Sequence, residues 1–230
     1  MFIQKSAEPI FPTWIWIHDV DPALTGPMNG RLSEALDRML RPWPTLPRGR
    51  NLQTDQVLHE LPEFAELTEI MLAAADSAME AMAAEHDGFC ITGCWANINP
   101  KGAFHMPHHH PNNFLSGVYY LKTQAGADSI TFHDPRPAVE TIAPHFRAIN
   151  RFNALEHAIP VKTGRLVLFP AWLVHSVRAN TSDEVRISIS FNIQFTDFEK
   201  TIARPRWKGV PLDRKPASGR RRRHLMASLG

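Results

Sequence analysis

Three histidines are the residues most able to do chemistry in this chain. His108 and His110 stand two apart, and His175 follows 65 positions after His110. Neutral imidazole is a good donor to divalent iron, zinc, nickel or copper. Alternate residues of a strand share a face, so His108 and His110 on one strand can reach one ion while His109 points away. A distant histidine across a β-barrel then closes the site. Arg186 lies 11 positions after His175 and is followed two residues later by Ser188. Its planar guanidinium is suited to gripping a carboxylate with two parallel hydrogen bonds beside such a metal.

These side chains need strands to hold them, and the sequence supplies strands after Gly88. Short β-type runs fall near 89–98, 114–122, 128–133, 156–161, 165–169, 174–179 and 185–195. The last is the clearest. Val185, Ile187, Ile189, Phe191 and Ile193 alternate with Arg186, Ser188, Ser190, Asn192 and Gln194, giving one apolar and one polar face. With the apolar face on helices, Arg186, Ser188 and Asn192 look into the barrel with the metal. Gly102 and Gly164 each precede a histidine through a turn, as in the two motifs of cupin barrels. His105-Met106-Pro107 reads as loop.

Residues 1–88 brace that barrel. A strand broken at Pro12 spans 8–18, and a polar Pro/Gly stretch follows to Gly30. A helix is expected from about Arg31 to Leu40, then loop over 41–53. A second helix is expected from about Pro62 to Glu85, with an apolar stripe from Phe64 to Met82 and Gly88 as its stop. Helices first and strands after predict a mainly β chain with flanking helices, a barrel or sandwich braced by those helices. One domain covers 1–200, and 201–230 form a basic, flexible tail.

Composition sets the class. The chain has 230 residues, 43% hydrophobic and 21% charged, and a formal charge of +2. Arg220–Arg223 supply four positive charges alone, so the body is slightly acidic and carries no nucleic-acid footprint. Only Cys90 and Cys94 are present, which suits core thiols in a reducing compartment and leaves no second pair for a zinc site. No apolar run approaches the roughly 20 residues that span a bilayer. The expectation is a cytoplasmic protein, with a small-molecule substrate and no membrane partner. The helical apolar stripe leaves a homodimer open.

Several ordered blocks carry a resemblance to a known family. They are Trp95-Ala-Asn97-Ile-Asn99, Pro107-His-His-His-Pro111, Ser116-Gly-Val-Tyr-Tyr-Leu121, Phe132-His-Asp-Pro-Arg136, the run from Gly164 to His175, and Arg186-Ile-Ser-Ile-Ser-Phe-Asn192. Over about residues 90–195 the chain resembles an uncharacterised bacterial subgroup of 2-oxoglutarate/iron(II) oxygenases. The resemblance implies a double-stranded β-helix, or jelly roll, that holds Fe(II) and takes 2-oxoglutarate as co-substrate. It implies His108 and His175 as two metal ligands, with His110 where the family usually has a carboxylate. It further implies Arg186 and Ser188 for the far carboxylate of 2-oxoglutarate, with Tyr120 and Asn97 nearby. Asn113, Arg136 and Arg178 are candidate substrate contacts. Two alternatives stand beside this: a three-histidine cupin-like dioxygenase without 2-oxoglutarate, and a non-catalytic metal- or ligand-binding barrel.

Overall fold

The computed structural model describes residues 3–42, 44–47, 49–136 and 144–196. Among them are two helices, α1 (Pro22–Leu40) and α2 (Ala65–Ala81). The strands are β1 (Trp16–Asp19), β2 (Leu52–Gln53), β3 (Phe89–Asn99), β4 (His105–His108), β5 (Leu115–Lys122), β6 (Ser129–His133), β7 (Glu156–Pro160), β8 (Arg165–Pro170), β9 (His175–Val177) and β10 (Arg186–Phe195). They form a six-stranded sheet in the order β1-β8-β5-β10-β3-β2 and a four-stranded sheet in the order β4-β9-β6-β7. Strand pairing is antiparallel throughout. The eight strands from β3 to β10 are shared four and four between the sheets, with consecutive strands mostly changing sheet. That is the double-stranded β-helix.

The period-2 pattern of β10 decides the layering. Ile189, Phe191 and Ile193 face the helices and join Met28, Leu32, Leu36, Phe64, Leu67 and Met71 in one core. The alternate residues face the smaller sheet. There Val118, Tyr120, Ile130, Phe132, Val167 and Phe169 form the second core. β5 is apolar on both faces because it lies between β8 and β10 with cores above and below. Gly117 on β5 admits the Phe191 ring of β10: a Cβ there would lie 2.2 Å from Phe191 Cζ.

Five local expectations need correction here, the first being the strand expected over 8–18, which spans only Trp16–Asp19. α1 begins at Pro22, nine residues before the expected Arg31, despite Gly26, Pro27 and Gly30. The Asp21 carboxylate caps it by accepting from Ala23 N at 2.8 Å. Asn29 then ties its first half to the sheet, accepting from the Tyr119 hydroxyl at 2.7 Å and donating to Leu121 O. Tertiary contact overrides weak propensity here. α2 ends at Ala81 rather than Glu85, with Ala83 turning the chain at φ 50°. Within the expected 41–53 loop, Leu52–Gln53 add an edge strand to β3. Finally, only Cys94 is a core thiol, pushed up to about 12 chiefly by burial, while Cys90 is exposed. The basic segment 201–230 lies outside the described residues.

Candidate metal centre

His108 closes β4, and His175 opens β9. The two are direct partners across the smaller sheet, with ring centroids 4.3 Å apart. His110 arrives differently. It lies beyond the end of β4, so strand alternation with His108 is not what places it. Its main-chain N–H donates to Ala171 O at 2.9 Å, which ties the turn at Pro111 to the loop before β9. Its ring centroid is 5.1 Å from that of His108 and 5.2 Å from that of His175. One nitrogen from each of the three lies within 4.8 Å of the others. Among the described residues, no carboxylate joins this group.

Backbone contacts fix the tautomers. His108 Nδ1–H donates to Met106 O at 2.7 Å, and His175 Nδ1–H donates to Leu173 O at 3.0 Å. Each leaves Nε2 as a bare lone pair, the form a metal needs. Burial, reinforced by the neighbouring His108, holds His110 down to about 4 and His175 down to about 3. Both rings are therefore neutral donors near pH 7.

The same cavity is lined by the residues expected to grip a carboxylate. It is lined by residues including Trp95, Asn97, His105, the three histidines, Tyr120, Arg186, Ser188 and Ser190, and encloses about 460 Å³ with its open mouth included. Arg186 is only 3% exposed. Its Nε has no hydrogen-bond partner, and it makes no ion pair among the described residues. Its guanidinium lies 5.2 Å from the centroid of the Tyr120 ring. The Tyr120 hydroxyl is also buried without a partner, and burial pushes it up to about 12. Ser188 is the neighbour of Tyr120 on one side and of Asn97 on the other. A buried cation with unspent donors is costly unless an anion completes it.

Asn97 lines this cavity, but its amide is engaged. It donates to Ser190 Oγ at 2.9 Å and accepts from Gln53 Nε2 at 2.7 Å. The three candidate substrate contacts lie outside the cavity lining. Asn113 accepts from Thr92 Oγ1 and donates to Pro111 O. Arg136 folds back onto Asp134 with two hydrogen bonds and borders a separate cleft with Arg151 and Trp172. Arg178 is exposed, 3.9 Å from Glu156. Among the lining residues that escaped sequence reasoning are Gln53, Trp95, Ser190 and His105. His105 belongs to β4 rather than to a loop. Its position three before His108 was the one available signal. Ser190 was visible on the polar face of β10 and was passed over.

Residues 93–192, all but a few of the barrel strands, match the model of a family described as "Putative 2OG-Fe(II) oxygenase". Over that segment the chain is similar to the 2-oxoglutarate/iron(II) oxygenases. No curated protein sequence matches the chain. Solved oxygenase structures share the fold. The non-heme alpha-ketoglutarate-dependent epimerase SnoN from nogalamycin biosynthesis superposes with a TM-score of 0.59 at 16% identity, covering 87% of this chain and 91% of that one. HygX from Streptomyces hygroscopicus, solved with nickel and 2-oxoglutarate, gives 0.55 at 13% identity over 80% and 84%. A Pseudomonas putida prolyl-4-hydroxylase gives 0.55 at 14% identity over 80% and 93%.

Proposed function

We propose that this chain is an Fe(II)- and 2-oxoglutarate-dependent oxygenase acting on a small molecule. The observation that carries the reading is a buried Arg186, with an Nε that has no hydrogen-bond partner and no ion pair among the described residues, in the same cavity as three clustered imidazoles. The donor set fits the metal, and the orphaned Arg186 and Tyr120 atoms fit a carboxylate. Iron(II) held there with 2-oxoglutarate supplies O2 activation coupled to decarboxylation of the co-substrate. The chain's own residues bind, orient and exclude water. His108, His110 and His175 hold the ion through ring nitrogens, and burial keeps those of His110 and His175 unprotonated. Arg186 and Ser188 take the far carboxylate, with the Tyr120 hydroxyl within the same pocket. Val118, Ile130 and Phe169 make the apolar wall that strengthens these polar contacts. A small-molecule substrate is supported by relatives of the same fold: SnoN was solved with nogalamycin RO, and HygX with hygromycin B.

A three-histidine dioxygenase without 2-oxoglutarate leaves Arg186 without a co-substrate carboxylate, and a non-catalytic metal- or ligand-binding barrel would fill the cavity without O2 uptake. Anaerobic reconstitution tests the choice. Fe(II) is expected at one ion per chain, and O2 uptake with succinate release is expected only when 2-oxoglutarate is present. His175→Ala is expected to lower iron affinity at least 100-fold. Full iron occupancy in that variant rejects the ligand set, and absence of 2-oxoglutarate binding in the native chain rejects the co-substrate.

A further inference from the structure

We propose that His105 is a further contact for the far carboxylate of the co-substrate, beside Arg186, and helps set which 2-oxo acid the site accepts. The inference rests on the co-substrate reading above and adds a residue to it. His105 opens β4 and lines the cavity with Arg186. The two are brought together by register. Arg186 on β10 is the direct partner of Asn99 on β3. Asn99, 1% exposed, holds the His105 ring through its side-chain amide.

The contact defines the ring's proton. Asn99 Nδ2 lies 3.0 Å from His105 Nε2, whereas Asn99 Oδ1 lies 3.4 Å away. The shorter contact is the amide N–H donating to Nε2. The imidazole proton is then on Nδ1, which makes no hydrogen bond to a described residue. Both residues line the cavity, Arg186 with an Nε that has no partner and His105 with a ring nitrogen that bonds no described residue. Burial and the neighbouring guanidinium keep His105 uncharged, held down to about 4. It adds a hydrogen bond without a second positive charge.

The dimensions agree with a dicarboxylate. The His105 and His108 ring centroids are 6.4 Å apart. A five-carbon chain at about 1.5 Å per bond reaches about 5 Å between its end carbons, so one end can meet the metal while the other meets His105 and Arg186. β4 then runs from the carboxylate end to the metal end of the same ligand.

A ligand pair isolates the far carboxylate. The protein is loaded with Zn(II), which permits binding without turnover, and titrated calorimetrically with 2-oxoglutarate and with 2-oxopentanoate, which has the same chain length and no far carboxylate. His105→Phe is expected to weaken 2-oxoglutarate about tenfold or more and to leave 2-oxopentanoate within about twofold. His105→Gln keeps an N–H donor and is expected to recover most of the loss. Equal weakening of both ligands, or no change in either, overturns the proposal and leaves His105 as a prop for Asn99. Arg186→Met separates the two levels of the argument: if it binds 2-oxoglutarate like the native chain, the co-substrate reading itself fails. If His105→Phe does not fold, the native protein still decides. The His105 ring resonances must then move with 2-oxoglutarate and not with 2-oxopentanoate, and the opposite result rejects the contact.

Discussion

Replacing Arg186 with methionine should move stability and ligand affinity in opposite directions. The guanidinium is 3% exposed, without an ion-pair partner, and its Nε is unsatisfied. Burial lowers its pKa, and the opposing influences of Tyr120 and Asp128 close no salt bridge with it. Folding the metal-free chain therefore buries a charge that the protein does not complete. Methionine has a similar reach, fills space flexibly and can lie on the Tyr120 ring. Removing the charge should stabilise the metal-free protein by about 1–3 kcal/mol, as replacing buried charges by apolar groups often does. For a chain of this size that is a rise in Tm of about 2–4 °C per kcal/mol. The same change removes the main anchor for the carboxylate. Truncating one partner of a buried charge pair costs about 2–5 kcal/mol, so 2-oxoglutarate should bind from roughly 30-fold to some thousands-fold more weakly. Thermal melts of the metal-free protein measure the first effect, and calorimetry on the Zn(II)-loaded protein measures the second. A lower Tm refutes the reasoning, because it would mean that the guanidinium already has partners within the fold. Unchanged affinity refutes it from the other side.

The remaining predictions concern pH and packing. His105 and His110 are held near 4 and His175 near 3, against an ordinary value of 6.5, by burial first. The unfolded chain takes up protons below about 6.5 and the folded chain does not, so the metal-free protein should keep full stability above that pH and lose it as pH falls towards 4. A melting temperature flat across that range would show that the rings are not neutral when folded. Gly117→Ala would place a methyl group 2.2 Å from Phe191 Cζ, and the ring would have to move within a filled core. A loss of about 1–3 kcal/mol in denaturant unfolding is expected, and a neutral result would mean the Phe191 ring has room to shift. Asp21→Ala removes the cap of α1 and should cost about 1 kcal/mol, whereas a helix that began at Arg31 would not register the change.

What could be read from sequence was whatever depends on a short repeat along one strand. β10 shows this best. Its alternation places Ile189, Phe191 and Ile193 in the helix-side core and Arg186, Ser188 and Ser190 in the cavity. The eye of a single-strand reading stops where the cause is another strand. The start of α1 was hidden because Gly26, Pro27 and Gly30 argue against a helix, and the contacts from Asn29 to Tyr119 and Leu121 lie about ninety residues away. His105 was hidden for the same reason: its partners, Asn99 and β9, give no periodic signal around position 105. Arg136 looked free beside its proline, but Asp134 two residues earlier accepts from its Nε and Nη2, occupying that edge of the guanidinium.

His110 was assigned to the metal on an argument that the fold does not use, and its true anchorage explains more about the site. It is held by a main-chain bond to Ala171, in the loop that leads to His175, so two of the three imidazoles are positioned by one piece of backbone. All three candidate ligands are imidazoles, and no acidic side chain is among the described residues lining the cavity. A dication placed there keeps its whole charge, with the Arg186 cation in the same cavity. In the usual arrangement of the family a carboxylate ligand offsets part of that charge before any co-substrate arrives. Here the co-substrate dianion must do so. Metal and 2-oxoglutarate each then bind more favourably in the presence of the other, by the same factor in both directions. The histidine in the carboxylate position therefore does not abolish the site's logic. On the proposed reading it moves the compensating charge from the protein to the ligand, with the buried Arg186 as the proposed anchor for that ligand.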